Sequence, residues 1–554
     1  MKAFLMYRDR DFDPQQTLPW NIVGDEWNWR RRYAEFDPWQ GLPSNGPTLS
    51  QDLELETLFS AMAGDDQFLF EVARRTLVSA VNEPVEPILY RQDVLDDCLR
   101  NRALVREIYD LTVETIRLEH KEYSRSSFWN SAGSILNQSV NALKMFVGML
   151  KQLRRMADDH AGEFKSEGFT RFWTMLKTEL SDDYFAEVQA HLSELRFRDG
   201  VLISSRLTEG NKGADYTLRR PTEDDRSWLR RLLSKQPESY TYQLHPRDQA
   251  GQQALGELRD RGLSLVADAT SQSCGHILSF FAMLRAELAF YVGCINLDEK
   301  LTQLREPTCF PNPAAVGERQ FGCRELYDVC LALQMNRAVV GNDVVAGGKD
   351  LAIITGPNTG GKSTFLRSAG LAQLMMQAGM FVPAQAFTAN VCDGLFTHYK
   401  REEDATMESG KFDEEVARMS TIVDDLRPNS LVLFNESFAA TNEREGSEIA
   451  RQVVSGLLEK HIKVFFVTHQ YEFAHGFAVK KMPNAIFLRA ERDIEGRRTF
   501  KVKEGDPMQT SYGEDLYERI FGGRKATQPR STPHAARDDT SRASQEFSEA
   551  AATG

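Results

Sequence analysis

The sequence predicts a chain in two parts, a mainly α-helical region followed on its C-terminal side by an α/β domain built on a parallel sheet. Three observations predict it. Between about 51 and 300, apolar residues return at three- and four-residue spacing and few strand signals interrupt them. After about 340 come short apolar runs rich in β-formers, "LAIIT" (351–355), "SLVLF" (430–434) and "KVFFVTH" (463–469). They alternate with helical stretches, the pattern of parallel strands covered on both faces. Between the first run and the helix that follows it lies "ITGPNTGGKSTF" (354–365), a loop with three glycines opening directly into Lys362, Ser363 and Thr364.

In chain order, residues 1–50 form an aromatic-rich N-terminal segment that carries Trp20, Trp27, Trp29 and Trp39, four of the seven tryptophans. Its "WNWRRR" suits a docking surface or a platform on which bases stack, and equally a loop pinned down by buried aromatics. Residues 51–325 read as a helical region, with "VLDDCLRNRALVREIYDLTVETIRL" and "NSAGSILNQSVNALKMFVGMLKQLRRM" as long examples. Long helices without glycine-rich loops make arms, levers or bundles, so the role expected here is mechanical. Within it, residues 196–235 hold ten basic against six acidic residues, a local excess of +4. That stretch is the best candidate for touching phosphates, or else a solvated helix face of mixed charge. "HILSFFAMLRAELAFYVGCINL" (276–297) is apolar enough to test as a membrane span, but Arg285 and Glu287 sit at its middle. Each would cost about 2.5 to 3.5 kcal/mol at a bilayer centre, so a long buried helix is expected instead.

The glycine loop is explained by phosphate chemistry. Gly356, Gly361, Lys362 and Ser363 satisfy G-x-x-x-x-G-K-[ST], with a strand before and a helix after. Residues Gly356, Pro357, Asn358, Thr359, Gly360, Gly361, Lys362, Ser363 and Thr364 form the candidate nucleotide cradle. Its backbone N–H groups and helix N-terminus suit phosphate, Lys362 suits the β- and γ-phosphates, and the Ser363 hydroxyl suits Mg²⁺. ATP with Mg²⁺ is the expected cofactor. A hydrolytic carboxylate should lie on a neighbouring strand, and Glu436 follows "SLVLFN" at the strand end where α/β sites gather. It is assigned to orient or deprotonate the attacking water. Asn435 and Glu436, with Ser363, complete the expected metal site; an amide at 435 brings no negative charge, which predicts weaker metal binding and slow turnover. "VTHQ" ends the third strand, and His469 there is placed to sense the γ-phosphate or the water. In "ESGKFDEEVARM" (408–419), Ser409 and Gly410 could point N–H groups at a phosphate of another subunit, or simply cap the helix that follows. The last residues, 523–554, lack periodicity and read as a disordered tail after an ATPase domain spanning 326–522.

Composition sets outer limits. A chain of 554 residues exceeds one ordinary core, so two to four domains are expected. Hydrophobic content of 41% and charged content of 27% describe a soluble globular protein, and a net charge of −13 opposes a general nucleic-acid sponge without excluding a local basic face. Seven scattered cysteines without a C-x-x-C pair, and an N-terminus whose apolar stretch is too short for a secretory signal, point to a cytoplasmic protein without zinc.

The order P-loop, glycine turn, acidic strand and histidine strand resembles the MutS family of DNA mismatch-repair ATPases. "TGPNTGGKST", "FVPA" (381–384), "NESFAATNEREGSEIA" and "FFVTHQYEF" carry the resemblance across about 325–480, and "VGNDVV" (340–345) resembles the segment that family places beside the nucleotide base. "RQDVLDDCLRN" (91–101) is similar in pattern to its lever domain. The resemblance implies an ABC-type P-loop ATPase domain, a helical lever and clamp closing on duplex or branched DNA, and a homodimer with composite ATP sites. Asn358 would then touch phosphate or sugar, Ser409 and Gly410 would act in trans, and Thr441 would face the partner site. No counterpart of the family's mismatch-reading domain or Phe-x-Glu wedge is found: "FLFE" (68–71) falls inside a helical pattern and reads as core. Two other readings stay open, an ATP-switched protein that grips a protein partner and an ATP switch that barely hydrolyses because of Asn435. Membrane transport is set aside.

Overall fold

The structure, a computed structural model, describes residues 1–8, 39, 41–81, 83–124, 131–197, 200–219, 241–357, 359–401, 410–493 and 497–508. Trp20, Trp27, Trp29, the "WNWRRR" stretch, Asn358, Ser409 and the tail at 523–554 lie outside them.

The helical region opens with α1 (Gly46–Leu53), α2 (Leu55–Ala63), α3 (Gln67–Ser79), α4 (Val85–Arg100), α5 (Arg102–Ser124), α6 (Ala132–His160), α7 (Glu167–Glu179) and α8 (Asp182–Glu194). Their starts follow local chemistry: Asp66, Ser131, Ser166 and Ser181 each accept a hydrogen bond from first-turn N–H groups of α3, α6, α7 and α8. "FLFE" lies in α3 with Phe68, Leu69 and Glu71 buried, as core. The long α9 (Gln249–Leu304, 56 residues) starts at an Asp248 cap and packs against α2, α3, α5 and α6. Its burial is nearly continuous from Phe280 to Ile295, which accounts for the apolar run. The two charges inside that run are both engaged. Arg285 lies 3.9 Å from the centroid of the Phe68 ring. Glu287 accepts hydrogen bonds from the Leu5 and Met6 backbone N–H groups at 2.7 and 2.8 Å. Tyr291 on α9 and Tyr90 on α4 donate to the carbonyls of Leu5 and Phe4, and Arg91 donates to that of Met6. The first residues are thereby strapped between α4 and α9 by their main chain, with Ala3 and Leu5 fully buried.

Where the basic stretch is described, it is not a helix face. Its described part forms an antiparallel hairpin, β1 (Leu202–Leu207) and β2 (Gly213–Arg219), closed by Thr208 N–H donating to Lys212 O at 2.8 Å. Gly210 at φ +76° turns the tip, a geometry that helix continuation forbids. β1 is largely exposed and carries no apolar alternation, whereas β2 alternates half-buried Ala214, Tyr216 and Leu218 with exposed Asp215, Thr217 and Arg219 and packs against α9. Residues 220–240 lie outside the described part.

Beyond α9 come β3 (Asn312–Ala314), β4 (Phe321–Leu326), α10 (Val329–Met335), β5 (Asn342–Val345), β6 (Leu351–Thr355), α11 (Lys362–Gln377), β7 (Ala386–Asn390) and β8 (Leu395–Tyr399). They are followed by α12 (Lys411–Asp425), β9 (Leu431–Asn435), α13 (Glu443–Glu459), β10 (Lys463–Val467), α14 (Tyr471–Val479), β11 (Ala485–Arg492) and β12 (Arg498–Glu504). The main sheet runs β12-β11-β6-β10-β9-β8; all are parallel except β12, antiparallel on the edge. A second sheet runs β3-β7-β4-β5. The 325/326 division expected from sequence therefore runs through β4, which pairs with β5 and β7. β6 alternates its faces: Ala352 and Ile354 join the core shared with the helical region, Leu351 and Ile353 the core under α13 and α14. α11 ends as its sequence dictates. Met380 N–H donates to Met375 O and Gly379 N–H to Met376 O, with Gly379 at φ +82°. A Cβ at Gly379 would lie 2.5 Å from Arg91 Cβ, so glycine also permits close approach of α4.

Candidate active site

The strand order corrects one expectation and preserves its purpose. β9, which carries Asn435, is not the neighbour of β6; β10 lies between them, pairing Val467 with both Ile354 and Asn435. Sheet order is a long-range property that no local pattern encodes. Because the three strands end in register, their C-terminal edge still gathers the loop after β6, the turn after β9 and the turn after β10.

In the first of these, Gly361 is the N-cap of α11 at φ +92°, with no side-chain cap, so the first-turn N–H groups of α11 are left to other partners. A Cβ at Gly361 would stand 2.8 Å from Phe500 O on β12, so the loop also needs glycine to pass beneath that strand. Lys362 is buried, with its side chain 4% exposed. Its Nζ donates to Gly356 O at 2.9 Å and Pro357 O at 3.2 Å, and lies 3.6 Å from Glu436 Oε1. Burial pulls the Lys362 ammonium below its ordinary pKa, opposed by the Glu436 charge. Thr359 and Ser363 are exposed, and Thr364 is half-buried. Ser363 Oγ donates to Asn435 Oδ1 at 2.8 Å.

Glu436 sits at φ +55°, uncommon for a residue with a side chain, in a turn held from both sides. Its N–H donates to Val467 O at 2.9 Å, and Lys400 N–H donates to Asn435 O at 2.9 Å. His469 clasps its carboxylate: the backbone N–H donates to Oε2 at 3.1 Å and ring Nδ1 bonds the same oxygen. Burial raises the Glu436 carboxyl, but the hydrogen bond and charge of His469, together with Lys362, outweigh it and leave the pKa below the usual value. The same hydrogen bond raises His469 against a smaller opposing effect of burial.

The structure thus brings together Lys362, Ser363, Asn435, Glu436 and His469. Gly410 instead begins α12 as its N-cap without a side-chain bond, and Thr441 Oγ1 donates to Glu445 beside the start of α13. A phosphate-bound Mg²⁺ suits this donor set: Ser363, Asn435 and Glu436 offer hard oxygens, and the uncapped helix N-terminus and buried ammonium suit the phosphates. Among the described residues no group of three His, Cys, Asp or Glu could hold a metal ion unaided. The fit is to a metal carried on nucleotide oxygens.

Sequence reasoning missed two clusters. Arg367 on α11 donates to Asp328 at 2.5 Å and pairs with Glu54 between α1 and α2, joining the loop helix to the helical region. His398 on β8 is buried, with Nδ1 2.8 Å from Ser437 Oγ and Nε2 3.0 Å from Glu415 O on α12. Burial and the Arg418 charge push His398 down to about 4. The available signals were single polar residues inside apolar runs, Arg367 in "STFLRSAGL" and His398 in "LFTHY".

Comparison with known proteins gives two family-model matches. The MutS2 N-terminal domain covers residues 83–304, and MutS domain V covers residues 352–527. The chain is 34% identical over 197 residues to "Endonuclease MutS2" of Bacillus velezensis, covering 34% of this chain and 25% of that protein. It is 31% identical over 167 residues to "DNA mismatch repair protein MutS" of Thermus aquaticus, covering 30% of this chain and 20% of that one. To "MutS protein homolog 4" of Homo sapiens it is 30% identical over 201 residues, covering 36% and 21%. The matched stretch spans a quarter or less of each relative's length.

Proposed function

Because the chain is a member of the MutS family, we propose that it is an ATP-dependent DNA-binding protein of mismatch repair or recombination, in which ATP binding and hydrolysis drive clamping of DNA by the helical region. The observation that carries this reading is the meeting of Lys362, Ser363, Asn435, Glu436 and His469 at one edge of the sheet. In it Lys362 holds the β- and γ-phosphates, and the amides from Gly356 to Thr364 line the cradle, Asn358 among them. Ser363 and Asn435 hold the metal side, and Glu436 orients the attacking water with its carboxylate kept ionised by His469. Bound Mg²⁺ supplies charge neutralisation at the phosphates. The unit from 51 to about 304 acts as lever and clamp, and the unit beyond it as the ATPase domain. Arg206, Lys212 and Arg219 on the β1–β2 hairpin are offered to duplex or branched DNA. Ser409 and Gly410 complete the nucleotide site of a second copy in a homodimer. Seven free cysteines fit a cytoplasmic setting.

A slow variant of this reading is favoured by one contact. Ser363 donates to the neutral oxygen of Asn435, so the metal gains no charge from that position.

The test is ATPase activity with homoduplex, mismatched, branched and single-stranded DNA at two salt concentrations. Stimulation by at least one DNA, with binding that weakens steeply as salt rises, is expected. Turnover indifferent to every DNA, with no salt-dependent binding, refutes the clamp.

A further inference from the structure

We propose that His398 is a positioning residue for the Glu436 carboxylate, tying the turn that carries it to the helix α12 that starts at Gly410. The inference rests on Glu436 being the water-orienting group. Glu436 occupies the left-handed region at φ +55°, a conformation that persists in a residue with a side chain only where the surroundings impose it. Backbone bonds to Lys400, just past β8, and to Val467 on β10 fix the turn before and at Glu436. On its other side the fixing group is Ser437, the next residue, which is fully buried.

The hydrogen-bond arithmetic assigns the ring's tautomer. Glu415 O can only accept, so His398 Nε2 carries the proton toward it at 3.0 Å. Nδ1 then presents a lone pair to Ser437 Oγ at 2.8 Å. The Ser437 hydroxyl has one proton to share between two acceptors, Nδ1 at 2.8 Å and the His398 carbonyl oxygen at 2.5 Å, so whichever takes it, Ser437 stays bound to residue 398. A neutral ring with one N–H fits this arrangement. The imidazole also stacks on Phe438, the residue after Ser437, with centroids 5.3 Å apart and planes 19° from parallel. The turn after Glu436 is thus held by one buried ring, whose far nitrogen grips α12. A shift of α12 would be passed through Nε2, the ring and Ser437 to the backbone of Glu436. Displacing a reacting group by about 1 Å can cost on the order of a hundredfold in rate.

The test compares Ser437→Ala, His398→Phe, which keeps an aromatic ring on Phe438 without its hydrogen bonds, and His398→Asn, whose amide can reach Ser437 but not Glu415. Steady-state ATPase, ATP affinity and melting temperature are measured for each, beside Glu436→Gln. Expected is a kcat lowered tenfold or more in Ser437→Ala and His398→Phe, with KM and ATP affinity within twofold of the parent. His398→Asn should recover a substantial part of the lost kcat. If kcat in Ser437→Ala stays within twofold of the parent while only the melting temperature falls, His398 is structural and the inference is overturned. Ser437→Ala, the smallest change, decides the matter if His398→Phe does not fold. Turnover surviving in Glu436→Gln would remove the hydrolytic assignment itself. Loss there with parental rates in the His398 and Ser437 variants would remove only the positioning role.

Discussion

Replacing Glu287 by glutamine should make the pH dependence of stability visible at one buried carboxyl. Glu287 is 2% exposed on α9 and accepts the N–H groups of Leu5 and Met6. Burial pushes its pKa up to about 7 from the ordinary carboxyl value of 4.5, against the pull of those two N–H groups and of Arg91. The unfolded chain releases the proton near 4.5 and the folded one near 7, so between those values the folded state binds more protons. The stabilising contribution of the protonated form is complete below 4.5 and is lost as pH rises through 7. Holding a proton from 4.5 up to about 7, at about 1.36 kcal/mol for each tenfold in proton affinity, corresponds to roughly 3 kcal/mol. Glutamine keeps a carbonyl oxygen for the two N–H groups and has no proton to lose. Urea unfolding of parent and Glu287→Gln at pH 4.5, 6 and 8 should therefore show the parent losing about 3 kcal/mol relative to the variant across that range. A stability difference that stays flat with pH, or moves the other way, would mean that the strap's N–H groups overcome burial and hold the carboxylate ionised.

Three further outcomes concern the nucleotide site and the helix α11 that leads from it. Lys362→Ala removes the buried ammonium and should lower ATP affinity at least tenfold and abolish nucleotide-dependent closure; unchanged affinity in a binding titration counts against the assigned cradle. Asn435→Asp preserves the acceptor for Ser363 while adding charge beside the metal, so turnover and Mg²⁺ affinity should both rise, and identical magnesium titrations would dismiss the slow-switch reading. Arg367→Met leaves Asp328, whose side chain is 0% exposed, without its cation, which should cost about 3 to 5 kcal/mol in stability. Asp328→Asn added to it should restore much of that loss in denaturant unfolding, and a double variant no better than the single one would exclude an uncompensated charge as the cause.

How much of this was legible in the sequence depends on the range of the interaction. Gly356, Gly361, Lys362 and Ser363 are spaced by local backbone demands, so strand, loop and helix could be placed to within a residue or two, as could the turn at Gly379. Glu436 and His469 were legible because each directly follows an apolar run, and strand ends are where such residues meet. The insertion of β10 between β6 and β9 was not legible, since five-residue strands as alike as "LAIIT" and "KVFFV" carry no mark of their order. The β1–β2 hairpin was not read either: β1 leaves no apolar period, and the signals on offer were the short alternation Ala214, Tyr216, Leu218 in β2 and Gly210 at the turn. Arg367 and His398 acquire meaning from residues far away in sequence, Glu54 and Glu415, and a single chain read locally cannot pair them.

The length of α9 has a mechanical consequence. At 1.5 Å per residue its 56 residues extend about 84 Å. Burial is dense from Phe280 onward, whereas Leu255, Leu258 and Leu265 near the other end lie open to solvent. A rod held most densely at one end multiplies angle into travel: a tilt of about 5° about Phe280 would carry Gln249, about 46 Å away, and the α6 and β2 surfaces packed along that half, through up to about 4 Å. Angular changes too small to open any seam in the core are, at that radius, displacements of several ångströms at the far end of the helix.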